Sequence, residues 1–344
     1  MSYFLGIDYP TWWFLLLGGV FTGYAILDGF DLGAGAWHLF FRKEHSRRVA
    51  LNAVGPVWDG NEVWLVIGGG ALFAGFPHVY ATLFSAMYIP FMLFLVFLIF
   101  RAISIEFRSK EPMAWWRKTW DTAYSISSIV LALSLGLVLG NVLLGMPIEA
   151  DKEFAGNWLA FLNPYAFLVG LTTLALFMMH GAIYLTMKTE GRLFAKVTVL
   201  LRNAIIFFVL SFVVTSTYTL LYIPHLSDRF AESPGLFTVP LLVFLSIANI
   251  PRLARKRKYR SAFLFSSLTV ALLLILVAIE LYPVILLSTA DPSYSLTVYN
   301  SAASDKSLGI MLGFAAVGMP LVGAYTLFVY RTFAGVVQLD EMSY

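Results

Sequence analysis

Asp28 and Asp31 lie in the middle of the first long apolar run of this chain, in Leu27-Asp-Gly-Phe-Asp-Leu-Gly-Ala-Gly35. Asp59 and Glu62 lie in the second, in Val57-Trp-Asp-Gly-Asn-Glu-Val-Trp64. Each pair is three residues apart, so its members share one helix face. Carboxyls within a bilayer are costly and persist where they line water or find partners, which makes them candidates for a relay of protons or a path for cations. A carboxyl in such a place serves a relay if it can gain and lose a proton during turnover. The alternative is structural: the four acids hydrogen-bond to tryptophan indoles, Asn52, Asn61 and loose backbone near the glycines.

The elements that position them follow from composition. Of 344 residues, 59% are hydrophobic and only 12% charged, about half the charge of a soluble domain. Apolar runs longer than about 18 residues make this an all-α integral membrane protein. We read nine transmembrane helices, at about 11–39, 53–75, 78–101, 120–144, 161–187, 198–223, 236–251, 261–287 and 308–331, in one membrane domain covering 1–344. Four helices, a loop, four more and a ninth fit two four-helix bundles plus one peripheral helix. On these bounds the first acid pair lies roughly 12–16 Å from the end of its helix and Asp59 roughly 9 Å from the start of the next. Antiparallel packing of those two helices would turn all four acids to one cavity.

Twenty of the 23 lysines and arginines fall in loops on one side; Lys152, Arg229 and Lys306 fall on the other. The positive-inside rule makes the first side cytoplasmic, with the N-terminus outside and the C-terminus inside. This reading assigns Arg101 to a loop and leaves no basic residue within a span to neutralise the acids. Trp12, Trp13, Trp115, Trp116, Trp120 and Trp158 fall at span ends, as an aromatic belt would. The start of the chain lacks a basic segment and cleavage site, so no cleaved signal is expected. A net charge of +3 spread over loops gives no support to nucleic-acid binding, and the absence of cysteine excludes disulfides, Fe–S ligation and Cys₄ zinc.

His180, in Met178-Met-His-Gly181, is a weak candidate for haem ligation and otherwise a packing residue. The glycines of the first two helices allow close helix approach. The run Arg252 to Arg260 is a positive-inside anchor or a site for anionic lipid. Two other functional classes remain open from the residues alone. A stand-alone proton-coupled transporter would need a midplane site between repeats, and a self-sufficient cytochrome b would need paired intramembrane histidines.

The stretches Leu27–Gly33, Asn52-Ala-Val-Gly-Pro-Val-Trp-Asp-Gly-Asn-Glu-Val-Trp-Leu65 and Gly68-Gly-Gly-Ala-Leu-Phe-Ala74 resemble subunit II of the cytochrome bd-type quinol oxidases. So do Phe100-Arg101, Phe107-Arg-Ser-Lys110, Leu162-Asn-Pro164 and Phe265-Ser-Ser-Leu-Thr269. The resemblance implies a subunit of a terminal respiratory oxidase in a prokaryotic plasma membrane, which oxidises quinol and reduces dioxygen electrogenically. It implies that haem b and haem d are ligated by the partner, subunit I, in a heterodimer, and that this chain scaffolds subunit I and provides a proton path from the cytoplasm. It leaves a small single-helix subunit and a structural quinone open. Asp31 and Asp59, flanked by Trp58 and Asn61, match the family's proton-entry candidates; Asp28 belongs to the same motif. Related chains can carry glutamine at Glu62 and at His180.

Overall fold

The computed structural model describes residues 3–226, 230 and 233–339; Arg229 lies outside them. Eleven α-helices are named here: α1 (Tyr9–Trp37), α2 (Glu44–Val54), α3 (Trp58–Gly75), α4 (Pro77–Ala86), α5 (Tyr88–Phe107), α6 (Ala114–Leu144), α7 (Pro164–Lys188), α8 (Gly191–Tyr222), α9 (Thr238–Arg255), α10 (Tyr259–Leu281) and α11 (Asp305–Thr332). Among the described residues eight helices are long and apolar enough to cross a membrane, or nine with the bent pair α3–α4 taken as one span. The fold class expected from the sequence is therefore observed.

Several boundaries move for local reasons. Gly55-Pro56 separates the short amphipathic α2 from α3, so the second span begins at Trp58 rather than 53; a proline removes a backbone donor, and its ring clashes with the carbonyl of the preceding turn. At Phe76-Pro77 the axis turns by 119° into α4, and the third span, α5, starts only at Tyr88. The eighth span ends at Leu281, after which Val284–Leu286 pairs with Leu296–Thr297 in a small antiparallel hairpin. Trp13, expected in the aromatic belt, is instead buried and donates from Nε1 to Leu308 O at 3.0 Å.

Caps fix where α7 begins. Asn163 Oδ1 accepts from Ala166 N at 2.8 Å and Pro164 follows at the first helical position, the arrangement that supplies an otherwise unpaired amide with an acceptor. Asn163 also donates to Asn141 Oδ1 on α6 at 2.8 Å, which locks the α6–α7 turn.

α1, α6 and α7 form the centre. The backbones of α1 and α7 meet at two glycines: a Cβ on Gly33 would stand 1.8 Å from Phe177 O, and one on Gly181 would stand 2.4 Å from Ala34 N. The core around this seam includes Phe30, Leu32, Phe177, Ile183 and Leu185. α11 lies against α1 and is mostly exposed.

Contacts between loops gather the basic segments at one end. Lys188 Nζ donates to Phe333 O, Lys196 Nζ donates to Phe40 O, and Val337 N donates to Lys188 O. At the opposite end Ala303 N donates to Gly75 O, and Thr82 Oγ1 donates to Lys152 O.

Gly33→Ala forces α1 and α7 apart, because a backbone carbonyl cannot rotate away as a side chain can. Overpacking of this kind costs about 1–3 kcal/mol or more. The assembled complex is expected to melt about 1–4 °C lower in detergent; an unchanged Tm would show that the two helices separate freely.

Candidate functional site

Three helices bring the acids together, each contributing from the end that carries the basic loops. Counting inward at about 1.5 Å per residue, Asp59 sits about 2 Å and Glu62 about 6 Å from the start of α3. Arg101 and Asp31 sit about 9 Å from the ends of α5 and α1, and Asp28 about 14 Å. These depths form a ladder from the helix ends into the protein.

At the centre is a residue the sequence reading had assigned to a loop. Arg101 lies within α5 and is fully buried. Its Nη2 donates to Asp28 Oδ1 at 2.7 Å and its Nη1 donates to Glu62 Oε2 at 2.8 Å. The expectation that no cation sits within a span is therefore wrong. The hydropathic run continues past Arg101 through Ala102-Ile-Ser-Ile105, and that continuation was the available signal. The guanidinium also lies 6.0 Å from the Trp58 ring centroid, within range of a cation–π contact.

Asp31 is equally buried but has no cation. Its Oδ2 accepts from Asn61 Nδ2 at 2.7 Å, and that amide also donates to Leu27 O at 3.2 Å. Asn61 Oδ1 in turn accepts from Tyr330 on α11 at 3.0 Å. Tyr330 was not expected in the site, since nothing in the sequence links α11 to α1. Asp59 is exposed, in the first turn of α3, and pairs with no described residue. An acid in that position also favours the helix dipole, so its place alone does not define a role.

The four acids therefore do not line one open cavity. Asp28 and Asp31 are sealed, Glu62 is partly buried with its side chain 16% exposed, and Asp59 faces outward. Asp31 Oδ1, Arg101 Nε and the Tyr124 hydroxyl are buried without a protein hydrogen-bond partner, and Tyr24 lies against Asp28. The ion pair is thus ringed by polar atoms rather than by a purely apolar core. Asn52, expected as a structural partner, donates from its amide to Arg48 O in its own helix.

A second charged network lies nearer the basic end and was missed in the sequence. Asp121 on α6 is buried and accepts from His38 Nε2 at 2.5 Å, Arg47 Nη1 at 2.9 Å and Arg108 Nε at 2.6 Å. Arg108 also donates to both Glu44 oxygens, at 3.1 and 2.9 Å. Burial works against the Arg108 charge, but its bonds to Asp121 and Glu44 outweigh burial and raise its pKa above the usual arginine value.

His180 is fully buried and stacked on Phe263 at 4.6 Å. Its Nε2–H donates to Ile26 O at 3.0 Å, which leaves Nδ1 to accept from Ser266 Oγ at 2.6 Å. Both ring nitrogens are thus engaged, and the residue does not fit an axial haem ligand. Among the described residues no group of three or more His, Asp or Glu side chains is arranged to hold a metal ion.

Residues 9–333 match the family model described as cytochrome bd terminal oxidase subunit II. The chain is 34% identical over 327 residues to cytochrome bd ubiquinol oxidase subunit 2 of Bacillus subtilis (strain 168), covering 93% of this chain and 94% of that protein. It is 32% identical over 372 residues to cytochrome bd-I ubiquinol oxidase subunit 2 of Escherichia coli (strain K12), covering 98% of each. Its fold matches a chain in the structure of bd oxidase from Geobacillus thermodenitrificans with a TM-score of 0.77, at 19% identity and covering 94% of this chain and 98% of that one.

Arg101→Gln strands Asp28 and Glu62 as unpaired buried acids, which costs about 3–5 kcal/mol. The purified complex is expected to lose thermal stability accordingly, and Asp28→Asn in the same chain to recover part of it. Equal stability of Arg101→Gln and wild type in that double-mutant comparison would show that the ion pairs contribute nothing.

Proposed function

This chain belongs to the cytochrome bd terminal oxidase subunit II family, and from that premise we propose that its buried acids pass protons toward the partner that reduces dioxygen. It is a membrane-embedded subunit of a respiratory oxidoreductase complex that contains a second subunit, subunit I. The stand-alone transporter finds no support in these relationships. The haems of the complex supply its oxygen chemistry. No described residue of this chain fits a haem ligand, and we assign them to subunit I.

The observation that carries the proton role is the ladder of acids, running from exposed Asp59 through half-sheltered Glu62 to sealed Asp28 and Asp31. Asp28 and Glu62 share one guanidinium, and Asp31 lies beside them without a cation of its own. An uncompensated charge in a protein interior is expensive, so charge balance favours retained protons in this cluster. Arg101 holds Asp28 and Glu62 in place, and Asn61 presents Asp31 with only a neutral amide. Asp31 is thus the carboxyl best placed to load and release a proton, and Asp59 the one best placed to receive it from outside the chain.

The exposed stripe of α3, formed by Asp59, Val63, Val66, Gly70 and Phe73, repeats at helical spacing. In this reading it faces subunit I, with Asp59 at its edge. The cytoplasm lies at the basic end, and the membrane is the bacterial plasma membrane. The packed α1–α7 centre gives subunit I a rigid scaffold.

Asp31→Asn and Asp59→Asn keep shape and remove the exchangeable proton. Each is expected to lower oxygen consumption about a hundredfold, the low end of what a positioned proton-transfer group contributes, with the haem absorbance of the purified complex intact. Wild-type turnover in both variants would eliminate the relay, and loss of haem absorbance would assign the acids to packing.

A further inference from the structure

We propose that α9 and α10 form a binding site for one anionic phospholipid, with an acyl chain in the groove between them and the phosphate on Arg252. The groove is a cavity of about 460 Å³. Its walls are apolar, from Leu242, Leu245 and Ala248 on α9 and Phe265, Leu268 and Leu272 on α10. Leu242, Leu245 and Leu268 are exposed along it, so the groove opens laterally at the protein surface.

Two polar groups break the apolar lining, and both suit a lipid. Asn249 lines the groove, and its carboxamide makes no hydrogen bond to a described residue. One helical turn further, Arg252 closes the basic end of the cavity. Ser246, by contrast, is already spent within the protein, on Phe265 O and Thr269 Oγ1. An amide about 4–5 Å above a guanidinium along the helix axis matches the order of glycerol ester and phosphate in a phospholipid.

Length and charge agree. From Leu242 to Arg252 the helix rises about 15 Å, half the thickness of a bilayer core and so the depth of a single leaflet. Arg252 lines the groove, and Arg255, Lys256, Arg257, Lys258 and Arg260 follow it in the chain with no acidic residue between them. No carboxylate among the described residues forms an ion pair with any of the six. A positive-inside anchor explains cations at this loop, but not a groove of leaflet depth that ends on one of them. The charge selects an anionic headgroup over a zwitterionic one.

The test uses the intact purified oxidase complex, with bound lipid counted by native mass spectrometry after exchange into phosphatidylglycerol or phosphatidylcholine. Wild type is expected to retain one phosphatidylglycerol and to bind phosphatidylcholine about fivefold more weakly or worse, the value of one cation near a lipid phosphate. Arg252→Gln is expected to weaken retention about fivefold. Leu245→Trp, which fills the groove and leaves every charge in place, is expected to abolish it, and Leu268→Trp tests the same point from the opposite wall. All three sites are exposed, and haem absorbance confirms assembly. Equal retention of the two lipids, retention unchanged by Arg252→Gln or by both tryptophans, displacement by millimolar inorganic phosphate, or a neutral isoprenoid found in the groove would each overturn the proposal.

Discussion

One guanidinium organises the interior of this protein. Arg101 reaches from α5 to Asp28 on α1 and Glu62 on α3 with two separate nitrogens, so a single side chain fixes three helices relative to one another. Its planar fork makes this possible; a lysine would present one point charge and could not hold both acids in the same geometry. Asp31, left over, turns to the Asn61 amide, and Asn61 is held in turn by Tyr330. The polar centre thereby draws in α11, a helix otherwise loosely attached.

The two charged layers differ in balance. Near the basic end, Asp121 and Glu44 are outnumbered by Arg47, Arg108 and Arg117. Deeper in, Arg101 is the one cation bonded to the carboxyls of Asp28 and Glu62. The excess of arginines in the first layer opposes the approach of a further positive charge. In the proposed route this favours entry at exposed Asp59 over entry through the Asp121 network, whose tight bonds suit a clamp between α5, α6 and the α1–α3 connection.

The legible parts of the structure were those set by hydropathy and spacing. The apolar runs announced the spans, and the cost of charge in a bilayer singled out Asp28, Asp31, Asp59 and Glu62 before any partner was known, although Asp59 is exposed. What hydropathy cannot resolve is where a long run breaks. Phe76-Pro77 and Met87 interrupt an almost uniformly apolar stretch, and only packing tells a bent segment from a straight one. Arg101 was misplaced for the opposite reason, because a single arginine near a span end reads as an anchor unless its partners on other helices are known. Asp121 and Tyr330 depend on contacts 83 and 269 residues away along the chain, a distance over which periodicity carries no information.

The separation between Asp28 and Arg101 has a consequence for biosynthesis. Their hydrogen bond spans 73 residues, so at about 5–20 residues per second α1 leaves the ribosome about 4–15 s before its counter-ion. During that interval α1 carries two carboxyls with no cation to meet them. It must either wait beside the insertion machinery, shielded from lipid, or enter the bilayer with those groups neutral. The emergence of α5 supplies the missing charge, so the order of translation is also an order of electrostatic completion.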